Sequence, residues 1–306
     1  MTDRKPDLGR RALLASLAGL ALPLPLAERL AAAASILTRP IPSSGEAIGM
    51  GTWITFNVGA SEALRDARAA VLRRFFALGG GMVDSSPMYG SAEAVIGHCL
   101  RQEMDSSSLF SATKVWTLRQ SDGVEEMAES RRLWGLERFD LMQIHNLVGW
   151  EGHLETLLED KAAGRCRYIG ITTSHGRRHG EMAEIMASQP IDFVQFTYNV
   201  LDREAEARLL PLAAERGLAV IVNRPFQRGA LFDRVEGKPL PAWAAEIDCA
   251  NWAQVFLKFI VSHPAVTCAI PATSRVEHMA ENMGALLGRL PDAALRKRMI
   301  ADLEDL

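Results

Sequence analysis

The sequence offers no cysteine pairing to build on. Cys99, Cys166, Cys249 and Cys268 stand far apart, without the close spacings of a zinc site or a disulfide framework, so buried and inert thiols are expected and no metal is. No one sign of charge dominates either. The formal net charge of the 306 residues is −3, which argues against nucleic acid as the main partner. Aromatic residues are few, at 7%, and no low-complexity tract follows the N-terminal region. A stable membrane anchor is not expected either: the apolar stretch from Ala12 to Ala27 contains Pro23 and Pro25 and is shorter than the ~20 residues a span needs. What remains is 48% hydrophobic and 23% charged, the make-up of an ordinary globular protein, long enough for one large α/β domain or two smaller ones.

The first 34 residues differ from the rest. A basic start, the adjacent Arg10 and Arg11, an apolar stretch and the small residues Ala31–Ala34 follow in order. That is the layout of a bacterial export signal with a cleavage site, and the arginine pair resembles a twin-arginine signal. The competing reading is an amphipathic surface helix. An export signal makes the translocation machinery a partner and the periplasm or the exterior the destination. Removing residues 1–34 takes away five basic and three acidic groups and leaves a net charge of −5 on residues 35–306.

Those residues have a rhythm. Eight short runs rich in β-branched or aromatic residues recur: GMGTWITF, GGMVDSS, LFSATKVW, FDLMQIHN, RYIGITTS, FVQFTYNV, LAVIVNRPF and VTCAIPATS. Each reads as a buried strand. Helical patterns lie between them, over Ala67–Leu78, Val124–Leu136, Leu154–Ala163, Arg177–Ala187, Glu204–Arg216, Trp252–Val261 and Val276–Leu287. The spacing is mostly that of a βαβ unit. The segment QRGALFDRVEGKPLPAW reads as a loop insertion. Eight units predict a single-domain (β/α)8 TIM barrel, an α/β fold. An open doubly wound sheet is the alternative, weakened because no G-x-G-x-x-G follows the first strand.

A barrel collects its chemistry at the carboxyl ends of its strands. The second strand ends in Asp84, with Tyr89 in the loop after it. The third brings Lys114 and the fourth His145. Taken singly, each has a plain structural reading: a helix cap, loop packing, a solvated charge, a satisfied core histidine. All four converging on one mouth is harder to set aside: an acid and a phenol at a strand end make sense if a lysine and a histidine meet them there.

The segments MVDSSPMYGSAEAVIG, SATKVW and DLMQIHN, with GMGTW before them and IPATSRVEHMAEN near the end, resemble the aldo-keto reductase family. The resemblance implies an Asp–Tyr–Lys–His active site, the same barrel, and NADPH as cofactor with NADH also possible. It implies carbonyl reduction, which needs a hydride on carbon and a proton on oxygen. Tyr89 is then the candidate acid, with Lys114 beside it expected to favour the phenolate and lower its pKa, Asp84 to hold Lys114, and His145 to orient the substrate oxygen or share the proton. It places Thr52 and Trp53 at the nicotinamide, and Thr172, Thr173 and Gln195 at its carboxamide. Phe226 and Arg228 follow the strand-seven proline, where they could cover the pyrophosphate. Thr273, Ser274 and Arg275 open a helix suited to anions, with His278, Glu281 and Asn282 beside the adenosine end. Two departures stand out. The family's Ser-Asn after the fifth strand is Thr172-Thr173 here, and Asn223 takes the place of a stacking aromatic. Arg275 is expected to supply the charge that reads a 2′-phosphate. Trp53, Met88, Trp116 and Asn146 fall at pocket positions, which suggests a small-molecule aldehyde or ketone in an open pocket. The other function class is a cofactor-binding sensor with little turnover.

Overall fold

Eight parallel strands succeed one another around one sheet in the order in which the chain supplies them. The computed structural model describes residues 36–42, 45–46, 49–51, 55–102 and 104–305. They belong to one unit, Ile36–Leu306. The expected leader, and Thr52 and Trp53, lie outside the described residues. A small antiparallel hairpin comes first, β1 (Pro40–Ile41) with β2 (Gly45–Glu46). The parallel strands are β3 (Gly49–Gly51), β4 (Met82–Asp84), β5 (Phe110–Val115), β6 (Phe139–Ile144), β7 (Cys166–Thr172), β8 (Phe193–Thr197), β9 (Ala219–Asn223) and β10 (Cys268–Ala269). Each pairs with its sequence neighbours, from β3 at one edge to β10 at the other. The sheet curls until Cα atoms of β3 and β10 come within 8 Å. This is the (β/α)8 barrel expected from the spacing.

Side chains alternate across a strand, so residues two apart share a face. One core cluster holds Met82, Phe110, Ala112, Leu141, Phe193 and Ile221, together with Ile41 from the hairpin. Two residues further along those same strands, on the same face, come Asp84, Ala112 then Lys114, Gln143, Gln195 and Asn223. The barrel interior is therefore apolar toward one end and polar at the carboxyl end. Gly170 belongs to this parity, and a Cβ there would lie 2.8 Å from the Phe193 carbonyl oxygen, so only glycine fits. A larger apolar cluster fills the space between the sheet and the helices.

The helices follow the predicted pattern with instructive shifts. Glu62–Ala77 begins earlier than the expected Ala67, because Ser61 caps it by accepting from the Leu64 N–H at 3.4 Å. Trp252–Val261 falls where its period places it, capped by Asn251. The stretch read as one helix over Glu204–Arg216 is instead a 3-10 turn, Glu204–Glu206, followed by Leu209–Arg216. Pro211 explains the break: with no N–H it is tolerated in the first turn of a helix and not deeper. The segment read as a loop insertion contains a helix, Ala230–Arg234, and a 3-10 stretch, Ala242–Ile247, begins at its end. Two further helices, Ala92–Leu100 and Ala293–Glu304, complete the ring. Among the described residues no helix is long and apolar enough to cross a membrane. All four cysteines are buried, none in a disulfide, and burial pushes the Cys99 and Cys166 thiols up to about 12.

Candidate active site

Asp84 and Lys114 form a buried pair at the carboxyl end of the barrel, 1% and 0% exposed. The Lys114 Nζ donates to Asp84 Oδ2 at 2.5 Å and to the Ser85 carbonyl at 2.8 Å. The other carboxylate oxygen, Oδ1, accepts from Gln143 Nε2 at 2.9 Å and Gln195 Nε2 at 3.3 Å. Strand register makes this possible: Lys114 lies opposite Gln143, and Thr172 opposite Gln195. Burial pushes the Lys114 amine below its ordinary value, and the Asp84 carboxylate opposes it. Both partners of the amine are acceptors, the arrangement an ammonium ion satisfies.

Tyr89 reaches this pair from a 3-10 turn, Pro87–Tyr89. Pro87 suits the start of such a turn, and Ser86 caps it by accepting from the Met88 N–H at 3.2 Å. Lys114 Nζ stands 5.4 Å from the Tyr89 ring centre, and the His145 ring meets the Tyr89 ring edge-on at 5.6 Å. The expected lowering of the phenol pKa is not what this environment gives. Burial raises it well above the ordinary value, and the Asp84 charge adds to the rise. The lysine's positive charge is shared with its own carboxylate, so it does not bring the resting phenol below its ordinary value. His145 is pushed down to about 3 by burial first and by Lys114 second, so it is neutral throughout the physiological range.

Asp84, Tyr89 and His145 line a cavity of about 400 Å³, with Lys114 buried behind them, and its wall also includes Met88, Asn146, Arg224, Phe226 and Arg228. A second cavity of about 340 Å³ shares Phe226, Phe232 and Ala272 with the first. Thr273, His278, Glu281 and Asn282 line it. The two therefore form one trough from the tetrad to the helix Val276–Gly284.

Several expected positions fall elsewhere. Thr172 and Thr173 are buried, and neither lines the trough. The Thr172 hydroxyl accepts from the Asn146 N–H at 2.9 Å, and the Thr173 hydroxyl lies 3.3 Å from Met182 Sδ. Ser174 and His175, next in the loop, line the cavity instead. Trp116 is 41% exposed, with its ring 6.4 Å from His145, outside the cavity lining. Arg275 also lies outside either lining, 3.8 Å from Glu277. Ser274 is turned out as well, its carbonyl 3.5 Å from Arg68 Nη1.

Other residues take part that sequence reasoning had not singled out. Arg224 Nη1 donates to His175 Nε2 at 2.5 Å, His175 Nδ1 lies 2.9 Å from Ser174 Oγ, and Ser174 Oγ donates to Asn146 Oδ1 at 3.3 Å. The chain of contacts ties the loops after β6, β7 and β9 across the cavity mouth. Asn223 is held by Thr197 Oγ1 and by the Thr173 carbonyl, at 2.7 and 2.8 Å. Arg224 and Arg228 both adopt left-handed backbone. Arg224 Nε is buried with no hydrogen-bond partner among the described residues. Burial and the neighbouring Arg228 lower the Arg224 pKa. An anion on this stretch of wall would satisfy both charges.

The sequence model of the aldo/keto reductase family matches residues 47–298. The chain belongs to the aldo/keto reductase family. Among curated relatives of this aldo/keto reductase is the methylglyoxal reductase YeaE of Escherichia coli K12, 26% identical over 258 residues, which covers 81% of this chain and 88% of that one. Another is the NADH-specific methylglyoxal reductase of the same organism, 24% identical, with 64% of this chain and 68% of that one covered. Among solved structures, an aldo-keto reductase of Klebsiella pneumoniae in complex with NADPH aligns with a TM-score of 0.71 at 22% identity, covering 88% of this chain and 95% of that one.

Proposed function

We propose that this aldo/keto reductase reduces an aldehyde or ketone to the alcohol with NADPH, NADH being the second candidate, and that Tyr89 is the proton donor. The observation that carries the reading is the cluster at the head of the trough, where the Tyr89 ring stands between the buried Asp84–Lys114 pair and a neutral His145. The donor set of the trough fits the cofactor. Arg224 with its unpartnered Nε and Arg228 would hold the pyrophosphate, Phe226 would pack against it, and Thr273, His278, Glu281 and Asn282 would surround the adenosine end. A bound nicotinamide supplies the hydride that no side chain can carry.

The protein supplies the proton and the geometry. His145, neutral, donates a hydrogen bond to the carbonyl oxygen and orients it toward Tyr89. As negative charge grows on that oxygen, the Tyr89 hydroxyl gives up its proton to it. An alkoxide is a far stronger base than a phenolate, so the transfer runs downhill even from a phenol whose pKa burial has raised. Lys114 then stabilises the phenolate until solvent returns the proton, and Asp84 keeps Lys114 in place. Met88 and Asn146 border the substrate side. The names of the relatives support a small reactive carbonyl compound as the substrate class.

Tyr89→Phe tests the assignment. It removes one hydroxyl and should lower turnover by roughly 10²–10⁴-fold while cofactor binding, read by fluorescence titration, stays within about twofold. Near-normal turnover would overturn the assignment, and tight cofactor binding without turnover in the unaltered protein would favour a sensor. We further propose that residues 1–34, through Arg10 and Arg11, send the folded, cofactor-loaded barrel out of the cytoplasm. Replacing both arginines by lysine should leave active, uncleaved protein in the cytoplasmic fraction. Unaltered protein found there with its first 34 residues attached would end that proposal.

A further inference from the structure

Ser86 is fully buried beside the catalytic cluster, and the reaction as described does not use it. Its Oγ lies 2.8 Å from His145 Nδ1 and accepts from the Met88 N–H at 3.2 Å. The position of one proton follows from these two contacts. A serine hydroxyl has one proton to give and two lone pairs. If His145 carried its proton on Nδ1, Ser86 would accept twice, and its own O–H would need another acceptor. Among the described residues Ser86 Oγ has no other partner than these two, and the residue is 0% exposed. A buried hydroxyl proton left without an acceptor is costly. If Ser86 instead donates to Nδ1, all three groups are satisfied at once: the Met88 N–H, the Ser86 hydroxyl and the Nδ1 lone pair. The proton of the neutral ring is then on Nε2.

We propose that Ser86 is a positioning residue that fixes His145 in the Nε2–H tautomer, so that the ring presents a hydrogen-bond donor, and not a lone pair, to the carbonyl oxygen of the substrate. The ring nitrogen that remains for the cavity is Nε2, since His145 lines the cavity and Nδ1 is turned to Ser86. A lone pair there would repel the carbonyl oxygen, and a donor attracts it. The same hydroxyl starts the turn that carries Tyr89, so one side chain coordinates both groups that face the substrate oxygen. The inference rests on the reductase reading only for its consequence in turnover. The tautomer itself is a property of the protein alone.

The test is a ¹⁵N NMR measurement on the full chain with labelled histidine, at pH 7 and without substrate. For His145 the expected pattern is a protonated Nε2 and an unprotonated Nδ1. A protonated Nδ1 overturns the proposal. Ser86→Ala should lower kcat by about 5–20-fold, the worth of one hydrogen bond, leave the dissociation constant of NADPH unchanged, and make the His145 signals those of mixed tautomers. Ser86→Thr, which keeps the hydroxyl, should restore the single-tautomer signal. A Ser86→Ala protein with wild-type kcat and an unmixed Nε2–H signal also overturns it, since the tautomer would then not depend on Ser86. Failure of the reductase reading would appear separately, as an unaltered protein that binds NADPH and turns over no aldehyde, and the NMR pattern would still decide the tautomer.

Discussion

The two ends of the trough are built on opposite principles. At the tetrad end, Asp84 is fully engaged: one carboxylate oxygen by Lys114 and the other by Gln143 and Gln195. Those partners come from three different strands, and Asp84 from a fourth, all held in place by the ladder. At the far end, Ser274, Arg275, His278 and Glu281 are exposed, and the Arg275 side chain, 64% exposed, lies 3.8 Å from Glu277. The first region is complete before any ligand arrives, as catalysis by preorganised dipoles requires. The second is exposed, and a ligand there would have to order its side chains. A substitution at the first end should therefore damage fold and chemistry together, and one at the second should change binding alone.

The largest effect should come from Lys114→Met. It leaves Asp84 buried without its counter-charge, a loss of about 3–5 kcal/mol, and it removes the group proposed to stabilise the Tyr89 phenolate. Urea unfolding and turnover should fall together. A Lys114→Met protein of undiminished stability would break the contrast between the two ends.

Next comes a pH dependence to which the tetrad end contributes through His145. His145 has a folded pKa of about 3 against an ordinary value of 6.5, so between these values the unfolded chain binds the extra proton. Stability contributed by this group is fully present above pH 6.5 and is lost as pH falls toward 3, with a slope of up to about 1.4 kcal/mol per pH unit. His175, His179 and His263 are lowered in the same direction, burial first in each. The measurement is therefore a difference: His145→Gln should show a shallower loss of unfolding free energy between pH 7 and 5 than the unaltered protein. Equal slopes would show that the ring is not held neutral.

Arg228→Ala should weaken the binding of NADPH and NADH alike, by about 1.5–3 kcal/mol, the range for a hydrogen bond to a charged group, with stability unchanged. Unequal losses would move Arg228 away from the shared pyrophosphate. The smallest effect is expected at Arg275. The side chain must leave Glu277 to meet a 2′-phosphate, and exposed pairs are worth about 1 kcal/mol or less. Arg275→Ala should thus weaken NADPH by less than about fivefold and leave NADH untouched, as read by titration.

How far the site was legible in the sequence depended on the range of the contacts. Asp84, Lys114 and His145 could be picked out because each stands at the end of a recognisable strand, and Tyr89 because a short Pro-containing turn follows the first of them. The surroundings of Thr172 and Thr173 were not legible, because their hydroxyls meet Asn146 and Met182, neighbours that only packing brings close. Arg224 carried no local signal. Its meaning comes from His175, 49 residues away. The lowered phenol pKa failed as an expectation for the same reason: sequence shows a lysine near a tyrosine, and not how deeply both are buried or how completely the aspartate matches the charge.

The sequence by itself determined the barrel, because eight apolar runs at βα spacing have few other ways to bury themselves, and it determined which residues stand at the strand ends. Tertiary structure decided what those residues are: the charge state of Lys114, the neutrality of His145, the raised phenol of Tyr89 and the proton on one ring nitrogen. Period and spacing are local properties of a chain. Desolvation and hydrogen-bond partnership are properties of neighbours that are far apart in sequence, and they exist only once the strands have closed around them.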